Sequence, residues 1–204
     1  MKKALLLGTY VNPPYHPLTG IDTLLTKLLG DAFSVESTDN PDAFQKLSAE
    51  TDLVISYLDD WSSPIPERDA EALTQYVSEG GGLLVIHNGI SLQQSPDLAC
   101  LIGGRFSHHP AQEPVTFQAV PGTFLEGCEE FTISEEPYQF TDHGDVTPVL
   151  SYLYHGEAFL GGWEKACGSG RIVYLCPGHT IATFEVPSFQ RMIRLGALRC
   201  ARNA

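Results

Sequence analysis

The chain has 204 residues, a length that suits one domain and at most two, and a single domain of that size buries roughly 70% of its unfolded surface without staples. Hydrophobic residues make up 43% and charged residues 18%, which excludes a disordered chain. With 12 Lys and Arg against 25 Asp and Glu the net charge is −13, a field that repels phosphate backbones and anionic lipid and so argues against nucleic-acid and membrane partners.

The N-terminus, Met1-Lys2-Lys3 followed by Ala4-Leu5-Leu6-Leu7-Gly8, superficially resembles the start of a signal peptide. Its apolar run is too short and no small-residue cleavage site follows, so a first β-strand over residues 3–8 is the expectation. No apolar segment approaches the roughly 20 residues that span a bilayer. Residues 18–29 carry a helical stripe (Leu18, Ile21, Leu24, Leu25, Leu28, Leu29) that stops at Gly30. A short strand over 33–36 and a short helix over 41–47, capped by Asn40, come next. Residues 52–58 read as a buried strand. Residues 66–80 read as a helix with Ala70, Leu73, Tyr76 and Val77 inward, closed by Gly80-Gly81-Gly82. Residues 82–87 are the most strand-like run of the chain, and a turn follows at Asn88-Gly89. This βαβαβαβ rhythm predicts a mostly parallel, doubly wound α/β sheet with helices on both faces.

The second half differs. Residues 115–120 and 149–163 are rich in aromatic and β-branched side chains and predict an antiparallel extension. Residues 170–175 are another buried strand, preceded by a hairpin turn at Gly168-Ser169-Gly170. Residues 188–201 form a closing helix with Phe189, Met192, Ile193, Leu195 and Leu198 inward. With no repeat, low-complexity tract or linker, residues 1–204 read as one domain. The five cysteines, Cys100, Cys128, Cys167, Cys176 and Cys200, form no C-x-x-C pair, and their odd number predicts a reduced, cytoplasmic protein. Cys100 and Cys176 read as buried structural thiols.

In doubly wound folds ligands bind beyond the C-terminal ends of the parallel strands. His16, His87 and His179 fall on or just past such ends, and His109 follows the glycine-rich Gly103-Gly104 turn. A shared pocket is the expectation. His87 occupies the sharp turn between strand and helix that positions nucleophiles in several α/β hydrolase folds, with Gly89 relieving the crowding behind it. An imidazole there can serve as a general base, a metal ligand or a hydrogen-bond donor. Trp61 lies just past a strand end, where it either stacks on a sugar ring or anchors the loop. Asp59 and Asp60 read as a solvated turn. His143 and His155 are left outside the pocket.

These segments in order resemble a known family. Gly80-Gly81-Gly82-Leu83-Leu84-Val85-Ile86-His87-Asn88-Gly89 precedes Leu101-Ile102-Gly103-Gly104-Arg105-Phe106-Ser107-His108-His109-Pro110. Glu135-Glu136-Pro137-Tyr138 follows, then Pro177-Gly178-His179 and Phe184-Glu185-Val186-Pro187. Nearly the whole chain resembles the trehalose-utilisation (ThuA-like) family of the class I glutamine amidotransferase-like superfamily. The resemblance implies a flavodoxin-like three-layer α/β/α sandwich. It sets His87 where the amidotransferases carry their nucleophilic Cys, and His179 where they carry their catalytic His. It further implies His109, Glu136 and Tyr138 as functional side chains, and, through a looser match, His16. Glutaminase chemistry needs a thiolate at the elbow, so it and cysteine-protease chemistry are disfavoured.

The resulting expectation is a protein acting on a small sugar or sugar derivative, of the keto-sugar kind that disaccharide use implies. His87, His109, Glu136 and His179 are the catalytic candidates, with His16, Asn88, Trp61 and Tyr138 contacting substrate. A second reading of the same side chains is a divalent metal such as zinc on His87, His109 and Glu136, with or without His179, although no local ligand signature supports it. The remaining alternative is a non-catalytic sugar-binding or assembly module, since the fold also resembles the trimerisation domain of some β-galactosidases; a homo-oligomer would suit that role.

Overall fold

The computed structural model describes residues 1–141 and 144–203. Apolar runs become strands in chain order: β1 (Lys2–Gly8), β2 (Phe33–Thr38), β3 (Leu53–Tyr57) and β4 (Gly82–Ile86). Next come β5 (Arg105–His108), β6 (Glu113–Ala119), β7 (Phe131–Glu135) and β8 (Gln139–Thr141). The last three are β9 (Thr147–Tyr154), β10 (Glu157–Cys167) and β11 (Gly170–Leu175). Nine of them form one sheet in the order β2-β1-β3-β4-β11-β10-β9-β6-β7, and β5 pairs with β8 separately. Every residue of β3 and β4 is buried, which explains why these strands read as continuous apolar runs rather than as alternating ones.

Strands β2, β1, β3, β4 and β11 are all parallel, and their order is that of the flavodoxin-like doubly wound sheet. From β10 outward every pairing is antiparallel, so the predicted extension is four strands wide. Helices α1 (Ile21–Leu29), α4 (Ile181–Phe184) and α5 (Pro187–Cys200) touch one another on one face, and α2 (Glu67–Ser78) and α3 (Pro96–Ile102) touch on the other. The result is the expected three-layer α/β/α sandwich. The Asn40 cap is present: its side chain accepts a hydrogen bond from the Asp42 amide at 2.9 Å. Among the described residues no helix is long and apolar enough to cross a membrane.

Three expectations are corrected. Helix α1 begins at Ile21, because Gly20 has φ 89° and breaks the helical path; Leu18 is still buried. Leu198 is exposed; it follows Phe189 by nine residues, which on a helix of about 3.6 residues per turn is the opposite side. Cys100 is exposed as well, since α3 turns its neighbours Leu98, Ala99, Leu101 and Ile102 inward instead.

The element that matters most for function is the turn after β4. His87 is a non-glycine residue with φ 47°, a left-handed conformation that costs about 1–3 kcal/mol and persists only where the surroundings enforce it. A 3₁₀ turn over His87–Gln94 follows, with every residue from His87 to Gln93 buried. It lies so close to β3 that a Cβ on Gly89 would sit 2.0 Å from the Ser56 carbonyl oxygen, as the crowding argument anticipated. The Ser56 hydroxyl donates to the Gly89 carbonyl at 3.0 Å, which fixes the contact from the other side. Gly89→Ala is therefore expected to destabilise the fold by at least about 1–3 kcal/mol, the usual cost of overpacking. Thermal unfolding followed by circular dichroism would show it as a Tm lowered by about 2–4 °C per kcal/mol; an unchanged Tm would contradict this packing of the turn on β3.

Candidate functional site

Four neighbouring parallel strands deliver side chains to one point. His16 follows β1, Asp59 follows β3, His87 follows β4 and His179 follows β11. The fifth contributor comes from the far edge of the sheet: Glu135 and Glu136 lie at the end of β7. Glu136 Oε2 is 3.3 Å from His87 Nε2, 3.3 Å from His179 Nδ1 and 3.8 Å from His16 Nε2. His16 Nε2 and His179 Nδ1 are themselves 3.0 Å apart. One ligand-type atom from each of these four residues lies within 4.8 Å of all the others.

Each ring is held from behind. His16 Nδ1 is 3.2 Å from Asp59 Oδ1, and Asp59 Oδ2 accepts the Tyr15 and His16 amides, both at 2.7 Å. Trp61 Nε1 donates to Asp59 Oδ1 at 3.0 Å. Asp59 is thus a buried anchor and not the solvated turn residue expected from the Asp59-Asp60 pair; only Asp60 takes that role, accepting from Ser62 and Ser63. His87 Nδ1 lies 2.7 Å from the Cys176 carbonyl oxygen and must donate to it. His179 is set by its backbone: Glu135 accepts the Gly178 amide at 3.2 Å, the His179 amide at 2.8 Å and the Thr183 hydroxyl at 2.8 Å. Gly178 has φ 142°, and a Cβ there would meet the His87 Cβ at 2.9 Å, so glycine is required where the two histidine-bearing turns touch.

Electrostatics separates the rings. Burial pushes the His87 pKa down to about 4, against the pull of Glu136. The ring is therefore neutral at pH 7. Because Nδ1 carries its proton, Nε2 presents a bare lone pair, and this buried atom has no hydrogen-bond partner. Burial also opposes a charge on His16, but the Asp59 and Glu136 carboxylates outweigh it and raise its pKa. Burial works against the Asp59 and Glu136 carboxylates too. The surrounding donors prevail, His16 and two amides at Asp59 and the His16 and His179 imidazoles at Glu136, so the Asp59 pKa is lowered and that of Glu136 lies far below the usual carboxylate range. Glu135 differs: burial raises it to about 7 despite its backbone and hydroxyl donors.

Above the cluster is a cavity of about 510 Å³ lined by Tyr15, His16, Trp61, Phe106, His109, Glu136 and Tyr138. Four of these seven are Tyr, Trp or Phe, with Trp61 and Phe106 at 5.2 Å and Phe106 and Tyr138 at 4.3 Å between centroids. Trp61 anchors its loop on Asp59 and also forms part of the cavity wall. Tyr138 stacks on His87 at 4.3 Å. His109 stands apart from the four-residue cluster: its Nε2 is 3.6 Å from the other oxygen of Glu136 and its ring is partly exposed. His16 thus joins the cluster of His87, Glu136 and His179, and His109 stands outside it. Asn88 does not line the cavity; it is fully buried and donates to the Tyr57 carbonyl at 2.9 Å, bracing the elbow on β3. His155 is exposed and paired with Glu113. His143 lies outside the described residues. Glu135 and the anchoring role of Asp59 were missed, although the strand-end rule that selects the histidines points equally to Asp59.

The ThuA family model, described as trehalose utilisation, matches residues 14–199. No curated protein matches the chain significantly. Among solved structures, a ThuA-like protein from Bacteroides uniformis is 23% identical, with 97% of this chain and 90% of that one covered and a TM-score of 0.74. A ThuA-like protein from Parabacteroides merdae is 16% identical over 98% and 89% of the two chains, with a TM-score of 0.80. A cold-adapted β-galactosidase from Rahnella is 14% identical, with a TM-score of 0.65; 96% of this chain covers 32% of that one. These structures share the fold.

Removing the anchor behind His16 should be felt locally. Asp59→Ala leaves the Tyr15 and His16 amides and the Trp61 indole without their acceptor, an expected loss of about 2–4 kcal/mol given roughly 1.5–3 kcal/mol for each hydrogen bond to a charged group and partial rescue by water. Because Trp163, the other tryptophan, is fully buried elsewhere and donates to the Ile102 carbonyl, a change in tryptophan emission on Asp59→Ala reports Trp61. Unchanged emission and stability would contradict the anchoring role.

Proposed function

The chain belongs to the ThuA family, and from that premise we propose that it is a cytoplasmic enzyme of carbohydrate metabolism that binds a sugar or an oxidised sugar derivative in the aromatic-walled cavity. The observation that carries this reading is the position of Glu136, which touches four imidazoles at the floor of a cavity whose walls are aromatic. Aromatic faces suit the apolar C–H face of a sugar ring, and imidazoles and carboxylates suit its hydroxyls. Five free cysteines fit a reducing compartment.

In this reading the chemistry is proton transfer. Glu136 stays ionised and holds its imidazole neighbours in register as their counter-charge. His109, at the rim and partly exposed, is placed to meet a substrate oxygen first and acts as the acid or base facing it. His16 and His179 share a hydrogen bond, so a proton can pass between their rings while Asp59 stays ionised behind His16. Such groups can remove the proton beside a sugar carbonyl and return it to a neighbouring atom. Glutaminase and cysteine-protease chemistry is not proposed. The elbow carries His87, and the nearby Cys176 thiol is buried, with burial pushing its pKa well up, away from the thiolate such chemistry needs.

A second reading, a non-catalytic binding or assembly module, is supported by the match to one third of the β-galactosidase chain. Turnover of trehalose and its keto derivatives, measured by chromatography on wild type, His109→Ala and Glu136→Gln, separates the two. The enzyme reading expects wild-type turnover and a loss of about 10²–10⁴-fold in each variant, with circular dichroism unchanged. No turnover in wild type alongside sugar binding favours the module, and equal turnover in the folded variants would overturn the roles given to His109 and Glu136.

A further inference from the structure

We propose that His16 Nε2, His87 Nε2, His179 Nδ1 and one oxygen of Glu136 bind a single divalent transition-metal ion, for which zinc is the best chemical match. This places a metal within the site of the preceding reading. It rests on that reading only for what the metal would act upon.

The first observation is convergence. Four donor atoms from four separate segments lie within 4.8 Å of one another, while tetrahedral ligation at about 2.0–2.1 Å sets neighbouring donors about 3.3 Å apart. The distances of 3.0 Å from His16 to His179 and 3.3 Å from Glu136 to His87 and to His179 are already of that size. The second observation is independent of proximity. His87 Nε2 is fully buried, has no hydrogen-bond partner, and points its lone pair at a carboxylate oxygen that is also an acceptor. Two acceptors 3.3 Å apart repel each other, and a buried polar atom left unpaired is destabilising. A cation between them removes both penalties.

The third observation is how the rings are oriented. Metal-bound histidines characteristically donate their other ring N–H to a carboxylate or a backbone carbonyl, which fixes the tautomer. His16 faces Asp59 in this way, and His87 faces the Cys176 carbonyl. Three imidazoles and one carboxylate make a nitrogen-rich donor set that selects zinc and its first-row neighbours over magnesium or calcium, which take oxygen ligands. His16 and Glu136 also line the cavity, so a substrate oxygen approaching from there would add to the four protein ligands as a fifth, an expansion zinc allows.

The test is zinc chloride alone, titrated by calorimetry into chelator-treated full-length protein, with bound metal measured by mass spectrometry. The expected result is one zinc per chain. Affinity should fall at least 100-fold in Glu136→Gln and in His179→Ala and stay unchanged in His155→Ala, where an exposed imidazole is removed far from the cluster. Asp59→Asn, which leaves every ligand in place, should weaken zinc by about 10–100-fold. Should the ligand variants unfold, cobalt substitution of the wild type decides: intense visible absorption bands of a four- or five-coordinate site are expected. Less than one zinc per chain at saturation, equal affinity in folded variants, or only the weak bands of octahedral cobalt would overturn the proposal. None of these outcomes involves sugar, so a failure here leaves the carbohydrate reading standing. Lack of turnover by zinc-loaded protein would count against that reading alone.

Discussion

The Glu136 carboxylate is the point on which the functional end of this fold depends. It is contributed by the segment beyond the outermost antiparallel strand, yet it meets imidazoles that follow β1, β4 and β11 in the parallel core. Without it, the His16, His87 and His179 rings would face one another around a buried gap with no counter-charge. With it, an acidic protein acquires a site in which imidazoles outnumber carboxylates. Its neighbour Glu135 secures the same crossing by another route, tying the end of β7 to the Gly178-His179 backbone and to Thr183. Two consecutive carboxylates thus divide the work. One organises the rings and the other fixes the turn that carries one of them.

The elbow after β4 shows how a strained backbone can be kept while its chemistry changes. His87 has the left-handed conformation that elsewhere presents a nucleophile, and the Gly89 and Gly178 contacts leave no room for a Cβ on either side. The side chain at the apex is an imidazole with one nitrogen bound to a backbone carbonyl and the other facing Glu136. Such a group cannot form an acyl-enzyme in place of a cysteine. It can bind, orient or move a proton, and the strain at His87 fixes the direction in which it does so.

Much of this was legible in the sequence, for physical reasons that differ by element. Runs such as Gly82–Ile86 and residues 172–175 are apolar or aromatic throughout because both faces of a central strand are covered, so their identity as strands follows directly. Strand ends then select His16, His87 and His179. Glu136 was accessible only through its family motif, because nothing local indicates that the edge strand β7 returns to the core. Asp59 was misjudged for a related reason: a carboxylate in an Asp-Asp-Trp loop looks solvated until the amides of Tyr15 and His16, more than 40 positions away, close over it. That His16 joins His87 and Glu136 in the cluster while His109 stands beside it likewise rests on distances that no spacing in the chain encodes.

The central claim, that one carboxylate organises three imidazoles, is tested most directly by the ring-nitrogen signals of ¹⁵N-labelled histidines at neutral pH, in wild type and in Glu136→Gln. The account predicts His87 as the Nδ1–H tautomer in wild type, and a joint shift of the His16, His87 and His179 signals in the variant while His155 stays fixed. Signals of the three that do not move, or a His87 ring protonated at Nε2 alone, would contradict it.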